Sequence, residues 1–410
     1  MNWYKRATAS YPKAVIFASV AVVIGTATVI ASLATTDQDK PQPTPQLSAQ
    51  ARQYVNQGYK PAGCNVIKPG QHHCNLVVPV NTKGQAIAAH SFQAATRLRH
   101  DTSAHTPHVS GVSLSSYSPQ QFHTAYQLPC TPGGPVQGTC SQPSSFGPET
   151  IAVVDPGSYQ GPGTVESSLA TYDQQYGLPS CTQANGCLSI VNQNGQTSPL
   201  PSPLPSSDNW DAEFDLDVQT AHMICQTCKI ILVESTDDGE SLDQAVSTAA
   251  SLKPTAISLS WGGANEPADN SDFEFKGIAV VGSTGDSGSD EAQGYPGDLA
   301  DVIDAAGTTL TLNSDNTWKS ETVWSDSGGG CALSGFSAPT WQTSLSNWST
   351  AGCGKLKGDG DLSVDADPNP GVAEYSDGQW TYVGGTSLSS PLIASALALG
   401  GGIPGTEYGS

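Results

Sequence analysis

From Glu149 onward, short apolar runs alternate with stretches of helical spacing, and this constrains the fold more than any other feature of the chain. Ile151-Ala-Val-Val154, Ile230-Ile-Leu-Val233, Ala256-Ile-Ser-Leu259 and Ile278-Ala-Val-Val281 are short apolar runs, and the first ends in the turn Asp155-Pro-Gly157. Runs of this length that lack a polar face predict strands buried on both sides. Ile190-Val191 predicts a further short strand. Between them, Thr164–Tyr176 repeats apolar residues at Val165, Leu169, Tyr172 and Tyr176, and Trp210–Met223 and Ser241–Leu252 also read as helices. Strands alternating with helices predict βαβ units: an α/β domain with a parallel sheet covered by helices on both faces. In such sheets, functional sites gather at the carboxyl ends of the strands.

Composition narrows the partners. Of 410 residues, 16 are Lys or Arg and 37 Asp or Glu, a net charge of −21, which excludes the basic surface that nucleic acid requires. Only 13% of residues are charged, which argues against a coiled coil. The 43 Gly and 29 Pro make a turn-rich chain, and 37% hydrophobic residues still suffice for a sizeable core.

The N-terminus and the cysteines point to export. Lys5, Arg6 and Lys13 precede an uncharged run from Ala14 to Thr36. The run is long enough to cross a bilayer, with the basic flank on the cytoplasmic side. It is longer than a usual signal-peptide core, which favours a signal anchor. A cleaved signal peptide ending near Ser32-Leu33-Ala34 remains the alternative, and both export the rest of the chain. Residues 37–50 are Pro- and Gln-rich and read as a spacer. Residues 51–147 are weakly patterned, so 37–147 is taken as spacer plus a short N-terminal region, ahead of a domain over 148–410. The ten cysteines fall into near neighbours: Cys64/Cys74, Cys130/Cys140, Cys181/Cys187, Cys225/Cys228 and Cys331/Cys353. An even count in an exported chain reads as disulfides. Connectivity is not deducible, although sequential pairing would close five small loops. Cys225-Gln-Thr-Cys228 alone could be half a zinc site or a redox pair, but no second such motif is present.

Three local patterns carry chemistry. Gly385-Thr-Ser387-Leu-Ser-Ser-Pro391 opens an apolar helical stretch. A Ser at a helix N-terminus lies near free N–H groups and the positive end of the dipole, which suits a nucleophile and the oxyanion it generates. An ordinary Ser/Thr cap has the same look. Glu213 and Asp217 are one helical turn apart, and two carboxyls so close split their pKa values, so that one can act as base while the other shares the proton. A solvated acidic helix start is the alternative. Gly282-Ser-Thr-Gly285-Asp286-Ser-Gly288 comes after a predicted strand and aims Asp286 at the sheet crevice, or else forms a surface turn.

Taken together, residues from about 149 to 398 resemble the sedolisins, the serine-carboxyl peptidases. Gly384-Gly385-Thr386-Ser387-Leu-Ser-Ser-Pro391 is similar to their Ser-Gly-Thr-Ser-x-x-x-Pro motif except in its first residue. Glu213-Phe-Asp-Leu-Asp217 and Ser283-Thr-Gly-Asp286-Ser-Gly match their acidic motifs. Ser258-Leu-Ser-Trp-Gly-Gly263, Tyr295-Pro296, Ala306-Gly-Thr-Thr-Leu310 and Asp361-Leu-Ser-Val-Asp365 extend the likeness. The resemblance implies a subtilisin-like fold and endopeptidase activity at acid pH on peptide or protein substrates. It implies Ser387 as nucleophile, Glu213 as general base, Asp217 as its orienter, and a protonated Asp286 in the oxyanion hole. It also implies calcium, yet the usual ligand segment lies in a C-terminal extension. This chain stops at Ser410 and reads as truncated, so no metal ligand or other cofactor residue is assigned. Residues 37–147 are short for the family's prodomain.

Two rivals remain. A subtilisin-type triad would use Asp155 and His222, but none of the eight His is followed by Gly as that family requires, and His222 reads as a packed helix residue. An inactive, anchored surface protein keeping the peptidase fold is the other.

Overall fold

The computed structural model describes residues 59–61, 64, 72–79, 108–109, 112–113 and, apart from 132, 264–272, 289–293 and 333–334, residues 116–403. The Ala14–Thr36 run and the 37–50 spacer lie outside the described residues. Among the described residues no helix is long and apolar enough to cross a membrane.

Short strands come first: β1 (Tyr59–Pro61), β2 (His73–Cys74), β3 (Val77–Pro79), β4 (His108–Val109), β5 (Val112–Ser113) and β6 (Ser116–Tyr117). The main body comprises β7 (Thr150–Pro156), β8 (Leu188–Asn192), β9 (Lys229–Ser235), β10 (Ala256–Leu259), β11 (Trp261–Gly262), β12 (Ala279–Ser283), β13 (Val302–Leu312), β14 (Trp318–Val323), β15 (Leu362–Asp365), β16 (Gly371–Ser376) and β17 (Gln379–Val383). The central sheet runs β14-β13-β12-β10-β7-β9-β8, with β15 also on β13. Every pairing in it is parallel except β13 with β14. The apolar runs of the sequence therefore became β7, β9, β10 and β12, and Ile190-Val191 lies within β8. All residues of β10 and β12 are buried, as a strand sandwiched between helix layers must be.

The predicted helices form at Val165–Tyr176, Asp211–Ile224 and Glu240–Ser251. The first begins where Thr164 and Ser167 exchange side-chain-to-backbone hydrogen bonds, Ser167 N donating to Thr164 Oγ1 at 3.1 Å and Thr164 N to Ser167 Oγ at 2.8 Å. It ends at Gly177, whose φ of 68° suits a residue without a side chain. The third buries only the face made by Ser241, Leu242, Ala245, Val246, Ala249 and Ala250. By contrast, Asp211–Ile224 is buried nearly all round, as is the helix Thr386–Leu399, and these two pack on each other inside the molecule. Residues before 148 join the same core. Phe122 is fully buried, Tyr117 Oη donates to Leu310 O at 2.8 Å, β6 pairs with β16, and β2 pairs antiparallel with β11.

The cysteines form five disulfides: Cys64–Cys74, Cys130–Cys140, Cys181–Cys187, Cys225–Cys228 and Cys331–Cys353. Cys225-Gln-Thr-Cys228 is thus closed on itself, and its sulfurs are not thiolates available to zinc.

Candidate active site

The three sequence patterns meet at the carboxyl edge of β7, β10 and β12. Asp155 lies near the end of β7, Ser260 just beyond β10, and Asp286 in the loop after β12. The Asp211–Ile224 and Thr386–Leu399 helices supply Glu213, Asp217 and Ser387. Glu213, Asp217, Asp286 and Ser387 are each at most 2% exposed. The solvated-face reading of the acidic helix start therefore fails.

Ser387 is the second residue of its helix, where backbone N–H groups have no partner inside the helix. Its hydroxyl donates to Ser260 O at 3.0 Å. Ser260 Oγ in turn donates to Asp217 Oδ1 at 2.5 Å. Burial pushes the Glu213 carboxyl well above its usual range, and the charges of Asp217 and Asp155 push the same way. Asp217 is likewise raised by burial and by Asp155, and the Ser260 hydroxyl partly opposes this. Asp155 itself is pushed up to about 7 by burial. Ser387 lies close enough to Glu213 to oppose the rise there, but its proton is directed to Ser260, and neither Glu213 oxygen has a hydrogen-bond partner among the described residues. Nucleophile and expected base are thus neighbours whose hydrogen bond is not made in this arrangement.

Asp286 Oδ1 accepts from Thr386 N at 2.7 Å and Thr386 Oγ1 at 2.9 Å. Burial raises this carboxyl well above its usual range, against those two hydrogen bonds. With Oδ1 taken up by donors, the proton of the neutral acid belongs on Oδ2. Gly385 shows where Oδ2 lies. At its φ of 111°, a Cβ would fall 2.6 Å from Asp286 Oδ2 and 2.2 Å from the backbone oxygen of Asn75. Only glycine permits both the dihedral and that approach.

The Asn75 oxygen was not foreseen. Residues 72–78 run through the cleft from the segment taken as a spacer and short N-terminal region. Ser387 N donates to Asn75 O at 3.0 Å, and Asn75 N donates to Ser387 Oγ at 3.0 Å. Upstream, His73 and Cys74 pair with Gly262 and Trp261. Downstream, Val77 N donates to Gly384 O at 3.0 Å and Gly384 N returns a hydrogen bond to Val77 O at 3.2 Å. The Cys64–Cys74 sulfurs lie within 4.8 Å of a Glu213 carboxylate oxygen. The sequence signalled only the cysteine pair. The segment's β-pairing partners lie almost 200 residues or more away, beyond any local periodicity. Asp155, the third carboxyl beside Glu213 and Asp217, was considered only for a subtilisin-type triad. His222 takes no part: its Nε2 meets Pro179 O at 2.7 Å and Asp173 at 3.4 Å, and burial lowers it to about 4, so the ring is neutral.

A calcium site finds no fit in the acidic cluster near the C-terminal end. Asp298, Asp304 and Asp359 gather round Lys357, whose ammonium pairs with Asp361 at 3.2 Å. It donates to the carbonyls of Gly297, Leu299 and Val302 at 2.5, 2.9 and 2.7 Å. The oxygens that a hard cation would take already surround a buried ammonium.

The chain is similar to known peptidases. A family profile described as the subtilase family matches residues 213–400, from the helix carboxylates through the Ser387 helix. Kumamolisin from Bacillus sp. is 28% identical over 311 residues, 69% of this chain and 52% of that protein. Sedolisin from Pseudomonas sp. is 30% identical over 260 residues, 54% of this chain and 43% of that protein. The chain thus spans about half the length of the curated relatives it matches. The solved structure of Pseudomonas sedolisin, a serine-carboxyl proteinase complexed with two molecules of pseudo-iodotyrostatin, superposes with a TM-score of 0.56 at 22% identity, over 69% of this chain and 80% of that one, and shows the shared fold.

Proposed function

We propose that the chain is a serine-carboxyl peptidase of the sedolisin family, an endopeptidase that cuts peptide bonds at acid pH through Ser387, Glu213 and Asp217, with Asp286 in the oxyanion hole. The observation that carries this reading is a peptide carbonyl, that of Asn75, held by Ser387 N–H with Asp286 Oδ2 beside it. A tetrahedral oxyanion would develop on an oxygen in that position.

In the proposed reaction Glu213 accepts the Ser387 proton as Oγ attacks the carbonyl carbon, and Asp217 with Ser260 fixes the charge beside it. Glu213 then protonates the leaving amine, and a water repeats the sequence to release the acid. Asp286 must stay protonated to donate to the oxyanion, which its burial favours. Glu213 must be partly ionised, and the substrate-free groove would admit the water that lowers its pKa from the buried value. One carboxyl neutral and another partly charged coexist only at acid pH. The five disulfides support an exported setting.

The test is initial rates of protein hydrolysis from pH 2 to 9 with folding checked at each pH. The expected result is a bell centred at about pH 3–5, absent in Ser387→Ala. An optimum near pH 7–8 overturns the carboxyl mechanism. A folded chain that hydrolyses nothing at any pH favours the inactive-protein alternative.

A further inference from the structure

We propose that Thr386 is the positioning residue of the oxyanion acid: its hydroxyl, turned by the Gly285 N–H, holds Asp286 Oδ1 as an acceptor and so keeps the carboxyl proton on Oδ2, the oxygen that faces the substrate carbonyl. The proposal rests on Asp286 serving the oxyanion.

Thr386 is the first residue of the helix that carries Ser387, where a short polar side chain usually serves the helix's own free N–H groups. The Thr386 side chain instead reaches across to the loop after β12. Its Oγ1 accepts from Gly285 N at 3.0 Å and donates to Asp286 Oδ1 at 2.9 Å. An N–H can only donate, so the single hydroxyl proton of Thr386 is left for Asp286. Thr386 N donates to the same oxygen at 2.7 Å. Two donors on Oδ1 make it the C=O of the neutral acid, and the O–H is then Oδ2, beside the Asn75 oxygen against Gly385. The frame behind this is rigid. Gly285 O accepts from Gly328 N at 2.6 Å, and Thr284 N donates to Ala305 O at 3.1 Å. Thr386 itself is fully buried, and its branched Cβ restricts rotation of the hydroxyl.

The same hydroxyl has a second, opposite effect. A hydrogen bond is stronger to a carboxylate than to the neutral acid, so Thr386 eases the ionisation of Asp286 that burial resists. Asp326, on the loop after β14, is the charged group that acts on Asp286, and it pushes the same way as burial. The His72–Val78 segment presents a carbonyl there and the helix an uncharged hydroxyl. Thr386 therefore aims the acid, which speeds the chemical step, and also brings down the pH at which that acid is lost. Removing the hydroxyl should move the two properties in opposite directions.

Two arms test this on the full-length chain, each variant checked by thermal melting. In the first, Thr386→Val keeps the shape and removes the hydroxyl. Its kcat at the optimum should fall about tenfold or more, with KM within about twofold of wild type. Its alkaline limb should move up by about half a pH unit or more. Thr386→Ser should restore most of kcat and return the limb to its wild-type position. Thr386→Ala gives the same directions as Thr386→Val should the latter not fold. A limb that stays in place or moves down while kcat falls is what a merely structural role produces, and it overturns the proposal. The second arm needs no turnover and so separates this proposal from the activity. Infrared spectra are taken at pH 4, and the C=O band of protonated Asp286 is the difference between Ser387→Ala and Ser387→Ala/Asp286→Asn. Each hydrogen bond accepted by a C=O weakens its stretch. Thr386→Val added to both chains should therefore shift the band to higher wavenumber, and Thr386→Ser should leave it unmoved. An absent band, or one that Thr386→Val does not shift, overturns the proposal. A shifted band in a chain that hydrolyses nothing upholds the placing of the proton and overturns only the peptidase reading.

Discussion

Lys357 and Glu213 show how much a single side chain decides here. Lys357 is fully buried, and its ammonium is the only positive charge identified among Asp298, Asp304, Asp359 and Asp361 in the described residues. Removing one partner of a buried charged group typically costs about 3–5 kcal/mol. Lys357→Met is therefore expected to lower the melting temperature by at least several degrees at pH 7, and less at pH 4, where Asp298, Asp304 and Asp359, all raised by burial, are protonated. Calcium titration of wild type, followed by melting temperature, should give little stabilisation, since the ammonium holds the oxygens a cation would need. At the site, Glu213→Gln keeps the shape and removes the base. It is expected to reduce hydrolysis at least 100-fold with an unchanged melt, whereas His222→Ala retains the pH profile. Loss of activity in folded His222→Ala would restore the subtilisin-type reading. Glu213, Asp217, Asp286 and Ser387 were legible in the sequence because each lies in a short motif whose geometry is local: one helical turn, one glycine-rich loop, one helix start. The hydrogen bond from Ser387 to Ser260 was not, because it joins a helix start to a strand end 127 residues away.

At the scale of elements, the segment His72–Val78 and the groove are coupled through pH. Burial, then the neighbouring His73, lowers His72 to about 4 while it is docked, and Asp237 opposes this weakly. The Asp238 carbonyl accepts from His72 N, and the uncharged rings of Trp261 and Tyr295 lie against the imidazole. A displaced His72 would titrate near 6.5. Below that pH the free segment takes up a proton that the docked one refuses. Docking is therefore at full strength above about 6.5 and weakens as pH falls to about 4, by up to about 3 kcal/mol. Labelled peptide should enter the groove of Ser387→Ala more than tenfold faster at pH 4.5 than at pH 7, and His72→Phe should flatten that ratio. An unchanged ratio in His72→Phe would show that His72 does not control release.

For the whole molecule, the −21 charge of the sequence understates how acid-adapted the interior is. Burial raises Asp155 to about 7 and Asp173 and Glu234 to about 8, and lifts Asp215, Asp304, Asp365 and Glu374 well above their usual range. A carboxyl raised on folding holds its proton in the native state after the unfolded chain has lost it. Its contribution is full below the unfolded pKa near 4 and is lost as pH rises toward the folded value, about 1.4 kcal/mol for each pH unit between the two. His72 and His222, each lowered to about 4, and His123, also lowered by burial, oppose this as pH falls below 6.5, but the raised carboxyls outnumber them. The melting temperature is therefore expected to be higher at pH 5 than at pH 8. A higher value at pH 8 would mean that these carboxyls are ionised in the native state.

The sequence by itself determined the parallel core and the catalytic candidates. A buried strand needs an unbroken apolar run, and a helix places residues four apart on one face; both are rules of a few residues. It showed cysteines in near-neighbour pairs but left their connectivity open, and the folded chain joins each pair of neighbours. What only the tertiary structure decided depends on packing between distant segments: the path of β13 to β17, the burial that shifts every carboxyl at the site, the ammonium that fills the acidic cluster, and the seat of Asn75 on Ser387. That last contact spans 312 residues. It forms because the open edge of β11 and the N–H groups at the start of the Ser387 helix must find hydrogen-bond partners once buried, and the folded molecule supplies them from its own N-terminal segment.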